Sequence, residues 1–331
     1  MIPAHHLYIH VPFCVKKCPY CAFHSTVGAP DWSAYAANII NAIKQQPKCR
    51  IPTIFFGGGT PSLMPAKILS DILDAARSHF DVAGDAEITI EMNPGTAFQD
   101  YKSIGVTRIS VGAQSFDDKE LEFLGRIHSA AEARRTIDAA LNAGFDTSAD
   151  FIYALPGQTT QDVAQLCAEI KRIGLKHASL YELTPEANAK FAPCEQNTEM
   201  FVEIGRRLRR YEVSNYAEPG HECRHNFGIW AGEPYIGLGP SAAGRLFDGT
   251  NWLEQSSGIT KPLTARDRAI EKVITGLRTT RGVKLTNDVK EILNWNFIEK
   301  NPILFLQKRD SLVLNKQGLL ILDGLLPKVI L

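Results

Sequence analysis

An α/β fold of parallel strand–helix units, followed by a small α+β module, is what the sequence predicts, and three observations predict it. Short β-rich apolar runs alternate with helix-like stretches six times over the first half of the chain. The chain has 331 residues, 44% of them hydrophobic, which is enough for one barrel-sized core and a small appendage. The alternation breaks near residue 185, and a different pattern resumes at residue 264. Parallel units of this kind close as an open sheet or as a full or partial barrel.

The strands read as LYIHV (7–11), TIFFG (53–57), EITIEM (87–92), RISVGA (108–113), TSADFIY (147–153) and HASLYEL (177–183). Between them the helices carry boundary signals. Asp31 suits the N-cap of a helix running to Gln46, and Pro65 suits the first turn of one running to His79. Ala130–Ala143 ends at Gly144, and Thr160–Ile173 ends at Gly174 with Lys171 and Arg172 in its last turn. From about 185 to 249 the chain is rich in Gly, Pro, His and aromatics, with one basic helix-like piece at 199–210. Beyond it lie a helix (Thr264–Thr279), GVKL, a second helical stretch and two β-like runs, SLVLN and LLILD, flanking KQG as a turn.

Lys and Arg number 36 and so do Asp and Glu, so the chain has no net charge. Zero charge with this hydrophobicity excludes a disordered chain and gives no general attraction for nucleic acid. The run Arg206-Arg207-Leu-Arg209-Arg210 is read as a solvated helix face. No apolar run approaches the ~20 residues of a membrane span. The first residues lack a basic segment followed by a long apolar one, so no secretory signal is expected and the cytoplasm is the expected location.

Seven cysteines are present, an odd number, and three fall within eight residues as Cys14-Val-Lys-Lys-Cys18-Pro-Tyr-Cys21. That suits a metal site better than a disulfide scaffold. The loop follows the first strand, at the strand end where parallel α/β folds keep their sites. Soft thiolates suit an iron–sulfur cluster or zinc. Three thiolates hold three irons of a cubane and leave the fourth open to a small ligand. Zinc would take the three thiolates with His24 as a Cys₃His set. Cys49, Cys167 and Cys194 are scattered and read as structural.

The segment YIHVPFCVKKCPYCAF resembles the signature of radical S-adenosylmethionine (SAM) proteins. More narrowly, it is similar to the group of oxygen-independent coproporphyrinogen III oxidase. FFGGGTPS, EITIEMNPGT, RISVGAQSF, LGRIH, ADFIYALPGQT, YEVSNYAEPGHECRHN and YIGLGP follow in that family's order over nearly the whole chain. The resemblance implies a partial (β/α)₆ radical SAM barrel over 1–185 and a barrel-closing substrate or heme segment over 186–255. A small C-terminal α+β, winged-helix-like domain then covers 256–331. It implies a 4Fe–4S cluster on Cys14, Cys18 and Cys21, with SAM bound at the open iron, and an electron donor of flavodoxin or ferredoxin type. It also implies one-electron cleavage of SAM to a 5′-deoxyadenosyl radical.

Other residues fit that expectation. Glycines at the end of the second strand let backbone approach a ligand closely. The resemblance assigns Gly58, Gly59 and Thr60 to SAM. It also places Tyr8, Glu91, Gln114, Arg126 and Asp150 around SAM. Asp150 is a charge inside an apolar strand and needs a partner or a function, and Arg126 offers a planar fork to a carboxylate.

Two branches of the family differ in function. The dehydrogenase pattern has another Cys two positions after the third cluster Cys, where this chain has Phe23, and its members usually have a longer N-terminal extension. The heme chaperone branch has an acidic residue then Phe, and here Ala22 precedes Phe23. It also has a His-Asn-x-x-Tyr-Trp motif associated with heme, matched by His225, Asn226 and Trp230 with Ile229 in place of Tyr. His and Cys, including Cys223, are competent heme ligands, and Trp offers a flat apolar wall. Relatives commonly have His near Ala243, and the region 186–212 is trimmed. The expectation is a protein that binds cluster, SAM and heme and passes heme to an acceptor protein. The alternative is the coproporphyrinogen III dehydrogenase of porphyrin biosynthesis.

Overall fold

The computed structural model describes residues 3–184 and 194–331. β1 (His6–Val11) enters a loop that carries a two-residue parallel ladder, β2 (Phe13–Cys14) with β3 (Thr26–Val27). There follow α1 (Trp32–Lys44), β4 (Arg50–Gly58), α2 (Ala66–His79), β5 (Asp81–Met92), β6 (Arg108–Gln114) and α3 (Asp118–Phe123). Then come α4 (Ala130–Asn142), β7 (Asp146–Tyr153), α5 (Thr160–Arg172) and β8 (His177–Glu182). All six expected strands are present, and β1, β4, β5, β6, β7 and β8 are consecutive neighbours paired in parallel. This is the expected partial barrel.

The two faces of these strands differ in chemistry. Leu7, Ile9, Val11, Ile54, Phe56, Ile90 and Val111 are buried and share one core with Ile39, Ile43, Leu69 and Ile72 of the helices. Alternation puts His6, Tyr8 and His10, then Thr53 and Phe55, then Glu87, Thr89 and Glu91, then Ser148 and Asp150, on the opposite, inner face. The outer face therefore supplies the hydrophobic stabilisation, and the inner face is left for polar groups. The helix ends obey the sequence signals. Asp31 accepts from Ala34 N, and Ser129 and Thr159 form capping boxes with Glu132 and Asp162. Gly144 and Gly174 follow their helices with φ of +74° and +77°.

The irregular stretch contributes α6 (Asn197–Arg207), β9 (Asn215–Ala217), α7 (Arg224–Trp230), β10 (Tyr235–Leu238), β11 (Ala243–Phe247), β12 (Trp252–Ser256) and β13 (Ile259–Leu263). β10 adds parallel to the free edge of β1, β9 adds antiparallel to β8, and β11–β13 extend the sheet to eleven strands. The boundary expected at 185/186 lies outside the described residues, as does part of the region expected to be trimmed. The basic run divides. Arg206 and Arg207 pair with Glu203, Arg209 pairs with Glu222, and Arg210 turns inward over the Phe201 ring at 3.6 Å. Arg210 thus departs from the expected solvated face.

The C-terminal part holds α8 (Ala265–Gly276), β14 (Val283–Lys284), α9 (Asn287–Ile292), α10 (Trp295–Lys300), β15 (Phe305–Lys308), β16 (Ser311–Leu314), α11 (Lys316–Leu320) and α12 (Leu322–Val329). It has a three-stranded antiparallel sheet and a hydrophobic cluster of its own, with Val273, Leu277, Leu312, Leu325 and Val329. Two expectations are corrected here. LLILD is helical, and KQG begins a helix instead of forming a hairpin turn. Asn315 accepts from Gln317 N and Gly318 N at 2.9 and 3.0 Å, which nucleates the helix. Leu319, Leu322, Leu325 and Val329 are then buried at three- and four-residue spacing. The hairpin lies one element earlier, between β15 and β16. Among the described residues no helix is long and apolar enough to cross a membrane.

Candidate functional site at the barrel mouth

The cysteine loop leaves β1 at the C-terminal end of the parallel strands. Backbone hydrogen bonds tie it down. Gly59 N donates to Val11 O, Thr60 N to Phe13 O and Thr26 N to Pro12 O, at 2.7–2.8 Å. Tyr8 O–H reaches His10 Nδ1 at 2.9 Å, and His10 Nε2 donates to His24 O at 2.9 Å. The loop thus uses the backbone of His24. Cys14, Cys18 and Cys21 are reduced and half-buried. Burial pushes the Cys21 thiol up, and Cys18 and Cys14 add to this. Among the described residues, no three His, Cys, Asp or Glu side chains converge on one metal-ion position. Three thiolates on one loop suit a cubane, in which each binds a different iron.

The glycines of β4 form a shelf beside the loop. A Cβ on Gly57 would lie 2.9 Å from Phe55, 3.0 Å from Tyr8 and 3.2 Å from Glu91 Oε2. Gly58 has φ of +113°, and a Cβ there would overlap the His10 ring. A Cβ on Gly59 would meet Phe13 O at 2.7 Å. These neighbours already fill the space a side chain would take, so the three positions pack only as glycine.

Below the shelf, Glu91 accepts from Gly58 N at 3.0 Å. Burial, and then Asp150 across the barrel, push the Glu91 carboxyl up to about 8. Burial also raises Asp150, against hydrogen bonds from Ser179 and Ser110, the latter at 3.1 Å. Two carboxyls facing one space raise each other's affinity for a proton or another cation. Tyr8, beside Glu91, is held protonated by burial. The chemistry of these groups suits a cationic ligand group.

Across the mouth, Arg126 Nη2 donates to Asn93 Oδ1 at 2.6 Å and to Gly112 O at 3.1 Å. Its Nη1 approaches Cys18 Sγ and Tyr20 Oη, both at 3.4 Å. Its Nε is buried without a hydrogen-bond partner, a free donor of the kind a ligand carboxylate satisfies. Gln114 ends β6 in the left-handed region, φ 65°, beside Gly112. The chemistry of this donor set and the shelf fits a SAM-like ligand. Its ammonium suits the carboxyls and its carboxylate suits the arginine.

Tyr8, Gly58, Gly59, Thr60, Glu91, Gln114, Arg126, Asp150, Cys14, Cys18 and Cys21 all lie at this end of the barrel. Asn93 and Tyr20 were not singled out in the sequence. A signal for Asn93 existed, since it directly follows the strand carrying Glu91.

The residues His225, Asn226 and Trp230 lie elsewhere, on α7. His225 is 1% exposed. Its Nδ1 is 2.8 Å from Thr53 Oγ1, which is 2.7 Å from His6 Nδ1, and His6 Nε2 donates to Glu233 at 2.8 Å. The His225 ring packs against Phe55 at 5.1 Å and Tyr8 at 6.4 Å, and its Nε2 is buried with no partner. Burial, and then His6, hold this imidazole neutral. Asn226 and Trp230 are half-buried, and Trp230 packs 6.1 Å from Tyr211. Cys223 is buried, and its thiol is pushed up to about 12 by burial, then by Glu87. Cys49 and Cys167 are buried in the core, and Cys194 is half-buried.

Residues 8–170 match the Radical SAM superfamily. The chain is 37% identical to the heme chaperone HemW of Escherichia coli over 270 residues, covering 74% of this chain and 71% of that protein. It is 30% identical to the mitochondrial radical S-adenosyl methionine domain-containing protein 1 of Danio rerio, covering 100% and 88% of the two chains. Among solved structures, coproporphyrinogen III oxidase (HemN) from Escherichia coli superposes with a TM-score of 0.76 at 18% identity, over 98% of this chain and 89% of that one. At that identity the likeness establishes the fold.

Proposed function

The chain belongs to the radical SAM superfamily and, within it, to the HemW family, and from that premise we propose that it is a heme chaperone. It carries a 4Fe–4S cluster on Cys14, Cys18 and Cys21, holds SAM in the carboxylate chamber, and binds heme for delivery to an acceptor protein. The observation that carries the reading is the 37% sequence identity to HemW over 74% of the chain, with Phe23 standing where the dehydrogenase pattern has a fourth Cys. A thiolate-bound cluster with a flavodoxin- or ferredoxin-type donor suits a reducing compartment, and we place the protein in the cytoplasm.

One-electron reduction of the SAM sulfonium is the chemistry that such a cluster supplies when bound. The residues of the chain bind and orient. Glu91 and Asp150 would hold the ammonium and ribose of SAM, Tyr8 and Gly58–Thr60 would lie against it, and Arg126 with Gln114 would receive its carboxylate. We assign the heme iron to Nε2 of His225, with Asn226 and Trp230 on the same helix. In the described conformation His225 is packed against Thr53 and Phe55 and does not present Nε2 to a heme.

Incubation of the reconstituted protein with heme or with coproporphyrinogen III tests this reading. Heme uptake that falls at least tenfold in His225→Ala is expected. Conversion of the porphyrinogen overturns the chaperone assignment, and unchanged uptake in the variant overturns the ligand assignment.

A further inference from the structure

We propose that Asn93 is a positioning residue that sets the reduction potential of the cluster, by aiming one hydrogen-bond donor at each of two cluster thiolates. Asn93 follows the last residue of β5, between the glycine shelf and the arginine. Its Nδ2 donates to Thr60 Oγ1 at 3.3 Å, and the Thr60 hydroxyl in turn points to Cys14 Sγ at 3.6 Å. Its Oδ1 accepts from Arg126 Nη2 at 2.6 Å, and the other arm of that guanidinium lies 3.4 Å from Cys18 Sγ. One amide thus joins two thiols through two different donors. The amide has one donor end and one acceptor end. With the lone pair of Thr60 occupied by the amide, its proton is free for the sulfur.

The amide is itself held in place. Thr96 donates its hydroxyl to Asn93 O at 2.8 Å, and Ser62 donates to Thr96 at 3.3 Å. Gly112 lies beside this pair: a Cβ there would sit at ordinary contact distance from Asn93 Oδ1 and Arg126 Nη2, 3.4 and 3.6 Å, and more tightly against Gln114 Nε2 at 3.1 Å. On the other side Gly125 lies against Pro19, where a Cβ would approach to 2.9 Å, and this seats the cysteine loop beside Arg126.

Donors at cluster sulfurs withdraw negative charge, which favours the more negative, reduced state and raises the potential. A neutral hydroxyl at one sulfur and a cation near another act in the same direction. Both contacts depend on one side chain that does not itself touch a sulfur. This inference rests on Cys14, Cys18 and Cys21 being the cluster ligands.

Its test is a double-mutant cycle on the reconstituted full chain, read by iron content and by a potential titration followed by electron paramagnetic resonance. Asn93→Ala is expected to keep its iron and to titrate about tenfold less favourably, ~59 mV more negative for one electron. Thr60→Val alone is expected to shift the potential by a smaller amount, and Thr60→Ser to restore it. Thr60→Val placed on Asn93→Ala is expected to add little, because its donor is already released. A full iron content with an unmoved potential in Asn93→Ala overturns the proposal, as does a Thr60→Val shift that is undiminished in the Asn93→Ala background. Should Asn93→Ala not assemble, the same cycle runs with Asn93→Asp, which retains the acceptor for Arg126 and loses the donor to Thr60. There an undiminished Thr60→Val shift overturns the proposal. Failure of the ligand assignment looks different, because Cys14→Ala would then keep its iron.

Discussion

Glu87 and Glu91 stand four residues apart on the same strand and the same inner face, and the protein treats them in opposite ways. Glu87, at the N-terminal end of the barrel, accepts from Arg224 N at 3.0 Å and His225 N at 2.9 Å, and Cys223 Sγ lies 3.6 Å away. It closes the start of α7, where a carboxylate meets free backbone N–H groups. Glu91, about 13 Å further on at ~3.3 Å per residue, accepts from Gly58 N and faces another carboxyl. One acid is satisfied by two backbone N–H groups, and the other, with one such donor and a second carboxyl nearby, holds its proton to a much higher pH.

The largest effect expected at the ligand end comes from the thiols. Replacing Cys14, Cys18 or Cys21 by Ala should abolish retention of reconstituted iron while the thermal transition of the apo-protein stays in place. Retained iron in any of the three removes that cysteine from the ligand set.

The two glutamates come next. Glu91→Gln should weaken SAM binding by tenfold or more, about 1.4 kcal/mol, with little effect on the melting temperature of the apo-protein. Glu87→Gln should do the reverse, lowering stability by about 1–3 kcal/mol through loss of a charged acceptor for buried N–H groups. Equal responses in calorimetry and SAM titration would break the contrast.

The pH dependence is smaller and has a definite sign. With Glu91 held near 8 in the folded chain, the unfolded chain loses that proton at a much lower pH, around 4.5. The folded state therefore binds more protons between these values, and apo-protein stability should fall as pH rises from about 5 to 8. Binding of the SAM ammonium should release a proton near pH 7, measurable by calorimetry in buffers of different ionisation enthalpy. The slope and the proton should both vanish in Glu91→Gln. Smallest of all, Asn315→Ala should cost about 1 kcal/mol in thermal denaturation and leave both ends of the barrel unaffected.

Much of the barrel was legible because each strand carries its period of two and each helix its caps. The segment LLILD was misread because a short apolar run has no distinctive period, and the deciding group, Asn315, lies outside it. Strands β10–β13 were hidden for another reason. β10 depends on β1, a partner remote in sequence, while β11–β13 pair with their chain neighbours through short strands with little alternation. At the site, the cysteines, Glu91, Asp150 and Arg126 were visible as residues in motifs, and their convergence is tertiary. The burial of His225 was invisible, since nothing in a His-Asn pair shows that Thr53 and His6 will enclose it.

The cysteine loop is pinned by backbone hydrogen bonds from Gly59, Thr60 and Thr26, none of which involves a sulfur. The shape of the loop is therefore set by the fold and not by its thiols. A chain without the proposed cluster should keep its barrel and take up iron and sulfide again once a reductant restores its thiols.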